Sequence, residues 1–318
     1  MYQASKKNIL QIIGAIFIAL IICIFPWESV RNYEFVDLSR NILKYEYPNY
    51  YFDYDFSNNK VAVILKEPFW YYINISFKSI GFSAEFFFTL LSFFSLFIIT
   101  KYLLSNNVRF AYILFLINPV FLDFVLSQQR NALVFSVFML ILSFRSKVLK
   151  LFFLLLPLIH SLSVFLIVIY FLHNYIIETY NSIFKKKIVV DIFLLVFSLS
   201  LSLIMVFGRS YLSGFSDDNR LGEYEVVVNS TLYILPWIFY LYFLVFFTKE
   251  VSKNYIYMFL FLSMYIWLTI FEFYAIRFLA MSMPFFIIIL SKFRYRAILS
   301  LLFSIHQLIL LFYWLKLG

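Results

Sequence analysis

Apolar residues run almost unbroken through this chain, and its polar positions gather between the runs. Runs of roughly 18 or more residues recur from end to end, the mark of membrane-crossing helices rather than barrel strands, which alternate over about ten residues. The pattern predicts helices over 8–25, 84–104, 110–126, 129–144, 188–207, 231–248, 255–271, 278–290 and 297–315. A segment at 151–172 completes an expectation of about 9–10 transmembrane helices. Asn118-Pro119 should kink the helix over 110–126, because proline cannot continue the ladder of hydrogen bonds. The fold class is all-α, a polytopic integral membrane protein, with a single transmembrane domain over 1–318.

The polar intervals set the expected topology. Lys6 and Lys7 before the first run place the N-terminus on the cytoplasmic side by the positive-inside rule. That run ends at Phe25, Pro26 and Trp27 with no small-residue cleavage site, so it reads as a retained helix. The stretch 27–83, rich in tyrosine and acid, is expected outside as a loop, as is 208–230. Within the first loop, EPFWYYINISFKSIG is aromatic and amphipathic. It is too short to span and reads as an interfacial or half-inserted helix with Pro68 in its first turn.

The segment 151–172 carries Pro157 and His160. Crossing once would send Lys185, Lys186 and Lys187 outside and the acidic stretch 208–230 inside, against the charge rule. A broken or re-entrant hairpin repairs the parity, with limbs of about ten residues, ~15 Å each, and the turn near mid-membrane. Non-helical backbone at that depth is tolerated beside protein or a water-filled cavity.

Composition narrows the chemistry. The chain is 64% hydrophobic and 14% charged, with a net charge of +9. Most Lys and Arg sit in turns between helices, so the positive charge follows membrane topology and nucleic acid is not an expected partner. One cysteine, Cys23, rules out a disulfide framework or thiolate cluster. Six glycines and no Gly-rich loop leave no phosphate cradle of the nucleotide-binding kind. His160, His173 and His306 lack ligand spacing, and Asp53-Tyr54-Asp55 is a bare DxD in an aromatic loop. Neither a metal nor a cofactor is expected.

The charged groups on the expected outer face supply candidates. Arg130, Arg277, Arg209, Arg220, Asp123 and Asp218 are candidate substrate-binding residues, with Asp217 beside them. Guanidinium groups suit phosphate oxygens because they stay charged and donate in a fixed fork. His160, Glu67 and Glu272 are candidate catalytic bases. Imidazole titrates near 6.5, close to working pH, as general-base chemistry prefers. Plainer roles exist for each: Arg130 snorkelling at a helix end, Arg277 paired with Glu272, Glu67 favouring a helix N-terminus, and Asp217 to Arg220 as a solvated loop.

The order EPFWYYINISFKSIG, SQQRNALVFSVFMLILSF and LLLPLIHSLSVFLIVIY resembles the EpsG-like group of Wzy O-antigen and exopolysaccharide polymerases. Members show Glu-Pro opening an aromatic helix, an Arg-Gln element before an apolar helix, and a hydrophobic run ending in His and a small residue. Glu67-Pro68, Gln129-Arg130 and His160-Ser161 match, with the order of the second pair reversed, and Arg277 fits a later arginine at a helix mouth. The match covers 50–171 well and the remainder loosely.

The resemblance implies a GT-C-like fold in the bacterial inner membrane. It also implies a metal-independent glycosyltransferase of lipopolysaccharide and polysaccharide biosynthesis. Such an enzyme joins oligosaccharide repeat units carried on undecaprenyl diphosphate at the periplasmic face. Its partners are the lipid-linked oligosaccharide, membrane lipid and a chain-length regulator. Rival expectations are an O-antigen ligase-like transferase, which accepts lipid A core, and a transporter or flippase of lipid-linked sugars, which should show paired repeats and symmetrically broken helices. A membrane acyltransferase would want an earlier histidine than His160.

Overall fold

The computed structural model describes residues 2–48, 68–143, 152–179, 186–216 and 233–317. Among them every regular element is helical. In chain order these are α1 (Tyr2–Ile24), α2 (Trp27–Arg31), α3 (Val36–Glu46), α4 (Pro68–Ser79), α5 (Ala84–Ser105) and α6 (Phe110–Ile113). A 3-10 turn (Leu114–Leu116), α7 (Pro119–Leu126), α8 (Gln129–Ser143), a 3-10 helix (Phe152–Leu158) and α9 (Ser163–Thr179) follow. The chain closes with α10 (Lys187–Ser216), α11 (Ile234–Phe247), α12 (Lys253–Ile270), α13 (Ile276–Lys292) and α14 (Arg296–Leu317).

By length and composition four described helices can cross a membrane: α1, α5, α10 and α14, or five if the bent pair α7–α8 counts as one span. On α1 and α14 most of the apolar surface faces outward. The spanning window of α14 is only 17% buried and that of α1 22%, with Leu10, Ile13, Leu301 and Leu308 all exposed. Apolar surface this extensive requires hydrocarbon around it. Hydroxyls on these helices return their protons to their own backbone, as Ser202 Oγ does to the Ser198 carbonyl at 2.8 Å and Ser304 Oγ to that of Ser300 at 2.8 Å.

The helix expected over 110–126 is broken rather than kinked. The chain ends α6 at Ile113, makes one 3-10 turn, and restarts at Pro119 in the first turn of α7. Asn118 caps that restart, its Oδ1 accepting from Val120 N at 2.9 Å. Proline lacks the N–H that an unbroken helix needs but fits a first turn, where that N–H would be unpaired. A second break at Ser127-Gln128 bends α7 against α8 by 99°. With eight residues, about 12 Å, α7 cannot span, which lowers the count of full-length spans below the sequence expectation.

Three further boundaries differ. The loop expected over 27–83 contains α2 and α3 besides α4. Phe35, Leu38, Ile42 and Tyr45 recur at helical spacing and pack inward, a period visible in the sequence but hidden by the acidic and tyrosine positions between. The segment 151–172 is broken as expected, but its limbs are unequal: a seven-residue 3-10 helix and then α9 of 17 residues, about 25 Å long. The ten-residue second limb is therefore wrong, since the apolar run continues past Leu172 through Tyr175 and Ile176. Helix α10 runs through Ser216 into the stretch expected as a loop, because backbone hydrogen bonding does not stop where side chains turn polar.

The chain packs as two compact units, Met1–Ile167 with Ala297–Gly318, and Val168–Arg296. In the first, α5 is the central element, packing against α1, α3, α7 and α8. Tyr45, Trp70, Phe87, Phe88 and Leu133 form a buried cluster that draws in α3, α4 and α8, with Tyr45 OH donating to the Phe82 carbonyl at 2.9 Å. Helix α14 joins this unit through Gln307 Nε2, which donates to the Phe115 carbonyl at 3.0 Å, and through the ring of Phe303 against Phe115.

In the second unit α12 and α13 are buried on nearly all faces and pack on each other, as helices apolar all round must. A polar staple ties three helices there. Lys187 Nζ donates to Asp191 Oδ2 at 2.5 Å and to the Val245 carbonyl at 2.7 Å, while Tyr255 OH donates to Asp191 Oδ1 at 2.7 Å. Asp191→Ala leaves the half-buried Lys187 ammonium with the Val245 carbonyl alone and should destabilise by up to about 3 kcal/mol, seen as a fall in thermal midpoint in detergent. Adding Lys187→Met should return most of the loss, because no charge is then left unpaired. A single variant as stable as the parent would remove the staple from the account.

Candidate functional site

Arg130 sits in the first turn of α8, half-buried, its guanidinium 5.9 Å from the centre of the Trp70 ring in α4. The sequence positions it through the residues just before. Gln129 is fully buried, its Oε1 accepting from Asn41 Nδ2 of α3 at 3.1 Å and its Nε2 donating to the Leu126 carbonyl. Asn131 Nδ2 donates to Gln128 Oε1 at 3.3 Å. The α7–α8 corner is thus locked by amide side chains, and Arg130 is held against an aromatic face that favours a planar cation.

His160 lies in the break between the 3-10 helix and α9. Its N–H donates to the Leu156 carbonyl at 3.0 Å, and its carbonyl accepts from Ser163 N at 3.0 Å. The side chain is half-buried. Ile159, its neighbour, packs on the cluster that holds Trp70 and Leu133, and the 3-10 helix packs against both α4 and α8. The Pro68 helix, the Arg130 turn and the His160 break therefore converge on one aromatic core in the first unit.

Asp123, half-buried in α7, is hydrogen-bonded to Gln128 and lies within the electrostatic reach of Arg31 and Asp37. Arg31 is the residue the sequence reading missed. It is 8% exposed, with Trp314, Phe35 and Tyr33 rings at 4.3, 4.9 and 5.5 Å from its guanidinium carbon. Its Nε and Nη1 have no hydrogen-bond partner among the described residues. Burial pulls its pKa below the ordinary value, opposed by the charges of Asp123 and Glu28. An arginine in an acidic loop gives no sequence signal of burial; only the spacing of Phe35 with α3 hinted that this loop folds back.

Glu272 and Arg277 belong to the second unit. Glu272 ends α12 with φ 54°, its N–H donating to the Thr269 carbonyl at 3.1 Å, and is exposed. Arg277, half-buried in the first turn of α13, lies over the Tyr274 ring at 4.7 Å. Among the described residues no ion pair joins Arg277 to Glu272, so the plainer pairing is replaced by ring stacking. His173 is buried against Tyr257, ring centres 4.8 Å apart. Arg209 falls on the backbone of α10 rather than in a loop. Glu67, Arg220, Asp217, Asp218 and the Asp53-Tyr54-Asp55 run lie outside the described residues.

These features define a membrane protein, all-helical among the described residues, with an arginine, a histidine and a half-buried carboxylate gathered in one helical unit. Searches against protein-family models, curated proteins and solved structures find no match to this chain.

Proposed function

We propose that this chain is a glycosyltransferase of the inner membrane. It joins oligosaccharide repeat units carried on undecaprenyl diphosphate into O-antigen or exopolysaccharide chains. The supporting observation is the convergence of the Pro68 helix, Arg130 and His160 on one core, since these are the segments that carry the family resemblance. In this reading Arg130 holds the donor diphosphate while the sugar–phosphate bond breaks, since a positioned cation stabilises the departing charge; Arg277, in the second unit, is a substrate-binding candidate in its own right. His160 takes the proton of the acceptor hydroxyl. The shorter helices α11, α12 and α13 add crossings to the full-length spans, while 151–179 enters and leaves on the cytoplasmic side, with the site on the periplasmic side and a chain-length regulator as a partner.

The test is reconstitution of the full chain in lipid vesicles with a lipid-linked repeat unit and no added metal. A ladder of products with released undecaprenyl diphosphate is expected. Transfer only to lipid A core would make it a ligase, and movement of the lipid across the bilayer without joining would make it a flippase.

Sidedness has its own check. The charge pattern at Lys185 to Lys187 puts the end of α9 in the cytoplasm. Asn181→Cys in a chain whose Cys23 is replaced by Ala should react with a membrane-impermeant maleimide only after the inner membrane is opened. Reaction in cells with only the outer membrane permeabilised would mean that 151–179 crosses once.

A further inference from the structure

A cavity of about 380 Å³ lies in the first unit, at the corner where α1 gives way to α2, bounded by α3, α5 and the α7–α8 corner. Small-ligand pockets run from roughly 300 to 1,000 Å³. Its walls are of two kinds. Trp27, Phe35 and Phe88 present aromatic surface, while Glu28, Glu85 and Gln129 bring oxygen and amide groups to the same space. Glu28 uses Oε1 to accept from Phe35 N at 2.8 Å, which leaves its second oxygen. Glu85, in the first turn of α5, is exposed and has no hydrogen bond or ion pair among the described residues. Gln129 is fixed by Asn41 and the Leu126 carbonyl and retains a second amide proton.

The lining selects among ligands by its chemistry. An acyl chain would leave the Glu28 carboxylate and the Gln129 amide desolvated without partners, which is costly. An anion would meet two carboxylates. Arg31 lies outside the lining, but it stacks on the wall's Phe35 ring at 4.9 Å and its charge acts on Glu28, so a second cation beside Glu28 would be opposed. A neutral sugar ring meets none of these penalties. Its C–H faces lie on aromatic rings, and its hydroxyls donate to carboxylates in charge-assisted bonds.

We propose that this cavity binds a neutral pyranose, hexose or N-acetylhexosamine, through Trp27, Phe35, Glu28, Glu85 and Gln129. Its role as the acceptor end of the glycan rests on the polymerase reading. Gln129 in the cavity wall is the chain neighbour of Arg130, the residue assigned to the donor diphosphate.

The full chain in nanodiscs free of glycoside detergents would be probed with methyl glycosides of a hexose, an N-acetylhexosamine and a hexuronate by saturation-transfer NMR. Saturable binding of a neutral glycoside is expected, with the hexuronate weaker. Glu85→Gln and Glu28→Gln each remove a charge but keep an oxygen acceptor, and should weaken binding by about tenfold. Thr89→Trp, from an exposed position on the lining, should fill the space and abolish binding while the thermal midpoint is kept. Absence of glycoside binding in the parent, or binding unchanged in all three variants, would overturn the site. If glycoside binding behaves as expected but the reconstituted parent chain builds no polymer, the polymerase reading fails and the sugar site stands. If no glycoside binds yet Arg130→Ala loses polymer, the reading stands and the sugar site fails.

Discussion

Arg130→Ala should abolish polymer while leaving single repeat units on the core, with protein level unchanged. Removing one group that stabilises developing charge costs about 10²- to 10³-fold in rate, enough to erase a ladder on a gel. Arg130→Lys should rescue poorly for two reasons. Lysine offers a point charge in place of the fork that grips two phosphate oxygens, and it loses the flat face that lies 5.9 Å from the Trp70 ring. Arg277→Ala tests the second unit by itself: its guanidinium lies over Tyr274 with Nε unpaired among the described residues, available to an oxygen ligand, and loss of polymer at normal protein level is expected if it binds substrate. Normal polymer from Arg130→Ala would reject the diphosphate role.

His160→Ala should likewise lose polymer, by roughly 10²- to 10⁴-fold in rate if the ring is the general base. His160→Gln separates two roles. Glutamine keeps a hydrogen-bonding side chain of similar reach but cannot take a proton at neutral pH, so it should not restore activity to a base and should restore it to a strut. The pH profile is a second readout, since a working base gives an acidic limb in kcat/KM that the Gln variant lacks. Should His160→Gln match the parent, Glu67→Gln comes next, as the other candidate base within the stretch that carries the family resemblance. Glu272→Gln follows; its exposed position at the end of α12 makes it the weaker rival. Asp123 joins this list on structural grounds, since α7 brings it within the electrostatic reach of Arg31.

How much of the site was legible can be followed residue by residue. Pro68 at a helix start, the turn before Arg130 and the break at His160 were each readable, because proline, polar clusters and apolar runs act on the backbone within a few residues. That Trp70 lies against Arg130, and Ile159 on the cluster beside it, was not. Those neighbours come from different runs, and nothing in an apolar run says which other run it packs on. In a membrane the difficulty grows, since lipid-facing and protein-facing positions are equally apolar. Helix α12 is buried nearly all round and α14 mostly exposed, yet the two read alike as sequences.

The sequence by itself determined the solvent and the class. A chain 64% hydrophobic with its charges between apolar runs must place those runs in hydrocarbon, and backbone polar groups there can be satisfied only by helices once barrels are excluded. It also determined where helices begin at Pro68 and Pro119, because a fixed φ and a missing N–H are local properties. Tertiary structure alone decided that 110–126 is broken and that the chain bends sharply between α7 and α8, that the acidic loop after α1 folds back as α2 and α3, and that Arg31 is buried among Trp314, Phe35 and Tyr33. Those outcomes depend on contacts between residues far apart in the chain, where the gain from burying aromatic surface outweighs the cost of desolvating a charge.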